Sequence, residues 1–141
     1  MIGIVIVAHL GLAEQLRNAA EIITRSTLEN ITAVSIMPDD NPDQAREKVL
    51  TAVKGVDKGR GVVILVDMFG GTPSNLSLSL LTKGKIEIIT GVNLPMVVDA
   101  ATTHQQASLS ELVATLLVNG QRGIRSASEI LTKKVPGKEE S

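Results

Sequence analysis

Ile2-Gly3-Ile4-Val5-Ile6-Val7-Ala8-His9 is the stretch on which the reading of this chain turns. Its apolar residues do not alternate with polar ones, so the run predicts a strand covered on both faces, as in a parallel sheet. His9 is the first polar side chain, and it stands where that strand should end. Open α/β sheets gather their ligands along the carboxyl edge of the strands. A histidine in that place is positioned for chemistry, provided that a second functional group arrives beside it.

A second run of the same kind, Gly61-Val62-Val63-Ile64-Leu65-Val66, ends in Asp67. Between the two lie a helical pattern after Leu10-Gly11, a partly alternating strand over Ile31–Ile36, and a second helix. The first helix is expected to turn Leu12, Leu16, Ala19, Ala20 and Ile23 inward. The second opens on Asn41-Pro42-Asp43-Gln44, with Asn41 as N-cap, Pro42 at N1 and Gln44 in a capping-box position. Ala45, Val49, Ala52 and Val53 form its inner face, and Gly55 is the expected C′ residue.

Beyond Asp67, Thr72 and Pro73 read as an N-cap and N1 pair opening a helix to about Thr82, although Leu76, Leu78 and Leu80 alternate with serines. Ile86–Thr90 is a short strand, and a short helix is expected over Pro95–Thr102. Ser108-Leu109-Ser110-Glu111 is a capping box for a helix with Leu112, Leu116 and Leu117 inward, closed by Gly120. Gly123–Ala127 reads as a short strand, and Thr132–Ser141 as a polar tail after a single domain spanning 1–131. The order of elements gives an α/β, doubly wound, mostly parallel four-stranded sheet of order 2-1-3-4 with helices on both faces. In that order strands one and three are neighbours, which brings the carboxyl ends bearing His9 and Asp67 together.

Composition narrows the function. The chain has 141 residues, 43% hydrophobic and 21% charged, with a net charge of −1. It offers no basic footprint for nucleic acid or an anionic membrane. Phe69 is its single aromatic residue, so base-stacking platforms are absent. With no cysteine there is no thiolate chemistry, and with two histidines and no His-Glu-x-x-His motif a metal site is not expected. His104 reads as a solvated surface residue. No Walker-type loop, dinucleotide fingerprint or Gly-x-Ser-x-Gly elbow occurs, so no cofactor is expected. The N-terminal apolar run lacks a basic flank and is too short to span a bilayer, which predicts a cytoplasmic protein.

A carboxylate that accepts the Nδ1–H of a histidine fixes its tautomer and leaves Nε2 with a free lone pair. Met68-Phe69-Gly70-Gly71-Thr72-Pro73-Ser74-Asn75 follows Asp67 directly. Glycines allow a backbone to approach a ligand closely, and a helix N-terminus presents free N–H groups to an anion. Gly70, Gly71 and Thr72 are therefore the candidate phosphate-binding residues, with Ser74 and Asn75 as further donors. The plainer reading is a turn carboxylate and an ordinary loop-to-helix junction. Taken together, nucleophile, orienting carboxylate and anion-binding turn point to phosphoryl transfer through a phosphohistidine.

These residues resemble the IIA component of the mannose/fructose class of the bacterial sugar phosphotransferase system. The resemblance rests on Ile4-Val5-Ile6-Val7-Ala8-His9 with Leu12-Ala13-Glu14-Gln15-Leu16, on Leu65–Pro73, and on Gly91-Val92-Asn93-Leu94-Pro95-Met96. It implies that His9 accepts a phosphoryl group from the histidine-containing phosphocarrier protein and passes it to a IIB component. Sugar uptake would then run through membrane IIC and IID components. It implies that Asp67 hydrogen-bonds the histidine. It also implies a homodimer that exchanges an extra antiparallel strand, matched here by Gly123–Ala127. The family often has glycine directly after the histidine, where this chain has Leu10, and tryptophan where this chain has Phe69. Related roles are a regulatory phosphohistidine protein and the phosphodonor subunit of a dihydroxyacetone kinase. A non-catalytic anion-binding module is the alternative from another class. The sugar is not legible in these residues.

Overall fold

The computed structural model describes residues 1–103 and 108–134. The elements run β1 (Gly3–His9), α1 (Leu12–Thr24), β2 (Ile31–Ile36), α2 (Pro42–Val56), β3 (Val62–Val66), α3 (Thr72–Leu78), β4 (Ile86–Thr90), α4 (Leu94–Thr103), α5 (Leu109–Arg122) and α6 (Ala127–Lys134). The four strands form one sheet of order β2-β1-β3-β4, and every pairing is parallel.

The unbroken apolar run of β1 has a simple cause: both faces of the strand are inside. Ile4, Ile6 and Ala8 join Val63, Leu65 and Ile89 in a core with Ala13 and Ala20 of α1, Val97 and Ala100 of α4, and Leu112 and Leu116 of α5. Val5 and Val7 join Ile64 and Val66 in a second core with Ala45, Val49 and Val53 of α2. Gly3 shows how closely α2 lies on the sheet, because a Cβ there would stand 2.6 Å from the backbone oxygen of Val56.

Both capping boxes form. Asn41 accepts from the Gln44 N–H at 2.8 Å, and Ser108 accepts from the Glu111 N–H at 3.2 Å.

Several boundaries and faces differ from the pattern. Leu12 and Ile23 are exposed on α1, whereas Ala13 is buried with Ala20. The helix approaches its neighbours through small side chains and leaves the large ones at the rim. Leu117 is likewise exposed on α5. Gly55 lies inside α2, whose C-cap is Asp57, and Gly120 lies inside α5, whose C-cap is Gly123. A Cβ at Gly120 would stand 2.6 Å from Cε of Met96, so that glycine serves packing between α4 and α5 and not helix termination. The N-cap of α3 is Gly71, one residue before Thr72, and the helix stops at Leu78 because the chain turns at Leu80 toward the Thr82–Ile86 bridge.

Gly123–Ala127 is not a strand. Gly123 caps α5, residues 124–126 have no regular structure, and α6 begins at Ala127. The tail expected from Thr132 is helical as far as Lys134. The rest of that tail, and His104, lie outside the described residues.

One flank of the sheet is guarded. On β2, Arg17 Nε donates to the carbonyl oxygen of Ile31 at 2.6 Å and Lys48 Nζ to that of Ser35 at 3.4 Å. These cations occupy acceptors that an added strand would need. On β4, the far side carries the short Thr82–Ile86 bridge.

Candidate active site

β1 and β3 are neighbours, with Val7 opposite Val66, so the residues that follow each strand core emerge side by side. His9 and Asp67 meet there. Nδ1 of His9 lies 2.6 Å from Oδ2 of Asp67, and the backbone N–H of His9 donates to the same oxygen at 3.0 Å. Oδ1 accepts from the backbone N–H of Met68 at 2.9 Å. The Asp67 side chain is 10% exposed and that of His9 46%.

The electrostatics follow from these bonds. Burial by itself pushes the Asp67 carboxyl up. The hydrogen bonds from the His9 backbone, the His9 ring and the Met68 N–H, with the ring's charge when protonated, outweigh it and hold the carboxyl below its usual value of 3.8. An ionised carboxylate only accepts hydrogen bonds, so Nδ1 must carry a proton to bond it. In the neutral ring, Nε2 then keeps its lone pair.

Gly71 closes one side of the ring. A Cβ at this position would stand 3.0 Å from Cε1 and 3.4 Å from Nε2 of His9. Gly70 has a φ of 94° and nothing within 4 Å of where its Cβ would be. It shapes the turn, therefore, while Gly71 makes the close approach. Thr72 lines a hollow of about 350 Å³ together with His9, Leu10, Ile36, Met37, Pro38 and Asp40. Ser74 does not join them as a donor: it is fully buried in α3, and its hydroxyl has no hydrogen-bond partner among the described residues. Asn75 is exposed.

Three features of this region are not evident from the motif. The N–H groups of His9 and Met68 hold Asp67, and main-chain donors leave no mark in a sequence. Asp40 reaches the hollow while accepting from the Met37 N–H at 3.0 Å and from Lys48 at 2.8 Å. The Asp39-Asp40 pair after Pro38 was its signal. Leu10 takes a left-handed conformation, with φ 54°. A larger hollow of about 940 Å³ runs along β2 between Glu14 and Lys48 and is not lined by His9.

Comparison with known proteins agrees with the fold and the motifs. The chain is 34% identical over 127 residues to the mannose-specific EIIAB component of the phosphotransferase system of Escherichia coli K12; the match covers 89% of this chain and 39% of that protein. The chain thus spans about two fifths of the length of that relative. It is 28% identical to the fructose-specific EIIA component of Bacillus subtilis, covering 94% of this chain and 91% of the other. The crystal structure of phosphotransferase system component EIIA from Streptococcus agalactiae superposes with a TM-score of 0.82 at 26% identity, covering 92% of this chain and 99% of that one. Residues 3–117 match the family described as the fructose IIA component of the phosphotransferase system, and the chain belongs to that family.

Proposed function

We propose that the protein is a phosphocarrier in which Nε2 of His9 is transiently phosphorylated. The phosphoryl group comes from the phosphohistidine of the histidine-containing phosphocarrier protein and leaves to a IIB component, for sugar uptake through IIC and IID. The observation that carries this reading is the His9 ring held through Nδ1 by Asp67 at 2.6 Å, with nearly half of the side chain exposed.

In the reaction, the Nε2 lone pair attacks phosphorus. The P–N bond to the donor ring breaks, and its electron pair returns to that ring. The product ring is protonated at Nδ1 and phosphorylated at Nε2, so it carries a positive charge facing the Asp67 carboxylate. Gly71, having no Cβ, leaves room beside Nε2 for the group, Gly70 shapes the turn before it, and Thr72 opens α3 directly after it. No helix among the described residues is long and apolar enough to cross a membrane. The protein works in the cytoplasm as a homodimer; the dimer is supported by the edge position of β4, whose far side carries only the short Thr82–Ile86 bridge among the described residues.

The test is incubation with phosphoenolpyruvate and the two general phosphotransferase proteins. The expected product is an acid-labile, alkali-stable phosphate that His9→Ala abolishes. An unlabelled wild-type protein, or label that persists in His9→Ala, refutes the reading.

A further inference from the structure

The near balance of 14 basic and 15 acidic residues hides an uneven distribution that only the fold brings out. Four lysines stand at the amino-terminal edge of the sheet, opposite the edge that bears His9. Lys54 is in the last turn of α2, and Lys58 is in the loop between α2 and β3. Lys83 and Lys85 lie in the turn between Thr82 and Ile86. The two loops are joined, because the Val62 N–H donates to the carbonyl oxygen of Lys85 at 2.9 Å. Arg60 and Lys85 line one hollow of about 380 Å³ with Asp57, Gly59, Gly61 and Gly84. All five cations are exposed.

Three carboxylates share this edge, and each is turned onto main chain. Asp57 accepts from the Gly59 N–H at 2.8 Å, Glu87 from the Gly84 N–H at 3.1 Å and Glu111 from the Ser108 N–H at 3.2 Å. Among the described residues, none of the four lysines forms an ion pair. A lysine carries its charge on a long flexible stem, so these ammonium groups extend past carboxylates held against the backbone. Asp39, Asp40, Asp43 and Asp67 stand at the carboxyl edge instead. The chain thus has a basic end and an acidic, reactive end.

We propose that the basic edge is a docking surface for the anionic lipid headgroups of a bilayer. The composition of the edge separates this partner from others. Protein interfaces are enriched in aromatic residues, methionine and arginine and depleted in lysine, and among the described residues no large exposed apolar side chain lies in 57–61 or 83–85. Nucleic-acid surfaces add stacking or base-reading groups, and the single aromatic residue, Phe69, is beyond Asp67 at the other end. Point charges on mobile stems need no fixed partner geometry, which suits a fluid layer of headgroups. The acidic end is repelled by the same layer, so the bound chain stands with His9 outward. β1 has seven residues, which keeps His9 about 20 Å from the basic edge, beyond the screening length of about 10 Å at 0.1 M salt. The use of this surface, though not the binding itself, rests on the phosphocarrier reading: it would hold the carrier beside membrane-borne acceptors while His9 remains open to a soluble donor.

The test is co-sedimentation with vesicles of phosphatidylcholine alone and with about 30% phosphatidylglycerol, together with His9 phosphorylation of each variant. Wild type should bind the anionic vesicles at about 25 mM salt, release from them at about 500 mM, and leave neutral vesicles unbound. Lys54→Ala with Lys58→Ala, and Lys83→Ala with Lys85→Ala, should each weaken binding at least about tenfold, and arginine at the same positions should preserve it. Both alanine pairs should be phosphorylated on His9 at the wild-type rate. The second pair adjoins β4 and the first does not, so a loss in both points to the shared charge and not to assembly of copies. Absence of anionic-vesicle binding at low salt, equal binding to neutral vesicles, or unchanged affinity in both alanine pairs overturns the proposal. Retention by double-stranded DNA without vesicle binding overturns it in favour of a nucleic-acid surface. Vesicle binding by a wild type that is never labelled refutes the phosphocarrier reading and leaves the lipid surface standing.

Discussion

A single oxygen of Asp67 holds both the ring and the main chain of His9. Oδ2 lies 2.6 Å from Nδ1 and 3.0 Å from the backbone nitrogen. The main-chain bond fixes that oxygen at the end of β1, and the ring cannot swing away without giving up its own bond to it. Asp67→Asn is expected to leave the fold in place and slow phosphoryl transfer by at least about tenfold, because the amide holds the Nδ1–H ring less firmly and cannot balance the charge of the phosphorylated imidazolium. Single-turnover transfer to His9, followed by rapid quench, measures it. Transfer at the wild-type rate would reduce Asp67 to a structural role.

The two adjacent glycines should respond differently to the same added methyl group. Gly71→Ala has an ordinary backbone, with φ −88° and ψ 176°, but its Cβ meets Cε1 and Nε2 of His9. It should fold normally and lose most phosphorylation. Gly70→Ala has open space but a φ of 94°, so it should lose about 1–2 kcal/mol of stability. Urea unfolding and a phosphorylation assay on both variants will show whether stability and activity separate in this way.

Acid stability depends on three carboxyls held below their ordinary range. For Asp67, burial opposes the shift and the bonds from His9 and Met68 overcome it. For Asp40 the first cause is the hydrogen bond from Lys48, followed by the Met37 N–H. For Glu111 it is the Ser108 hydroxyl, followed by the Ser108 N–H. Groups with lowered values stabilise the folded chain while ionised. Their contribution is complete above the ordinary values, 3.8 for the aspartates and 4.5 for the glutamate, and is lost as pH falls through the lower folded values. As far as these groups are concerned, melting temperature should be flat between about pH 7 and 5.5 and decline below about pH 4. Asp67→Asn should make that decline shallower. An unchanged acid limb would show that Asp67 contributes nothing to it.

Gly3→Ala tests how tightly α2 is seated. The new Cβ would stand 2.6 Å from both the oxygen and Cγ2 of Val56. A backbone atom cannot yield as a flexible side chain does, so the cost should be about 1–3 kcal/mol of overpacking, read from the urea midpoint. An unchanged midpoint would mean that α2 shifts freely on the sheet.

Much of this architecture is readable from hydrophobic runs because β1 and β3 are covered on both sides, and such strands need unbroken apolar sequence. The pairing of His9 with Asp67 follows from strand order, once that order is inferred from the alternation of strands and helices. The faces of α1 are harder to read. Hydrophobicity favours Leu12 and Ile23, whereas close helix packing selects Ala13 and Ala20. At Ile124 an isolated apolar residue between Gly123 and Arg125 suggests a short strand, but Ser126 and Glu129 stand at capping-box spacing, the better guide to the helix from Ala127. The strain at Leu10 is hidden because leucine gives no warning of a left-handed backbone.

The cations along β2 also bear on how copies of this chain meet. With Arg17 and Lys48 occupying carbonyls on one flank, addition of strands is favoured only at the other. Two copies joined through their β4 flanks would present only guarded β2 flanks outward. Strand addition of that kind would stop at a pair, because neither outward flank would offer free acceptors to a further strand.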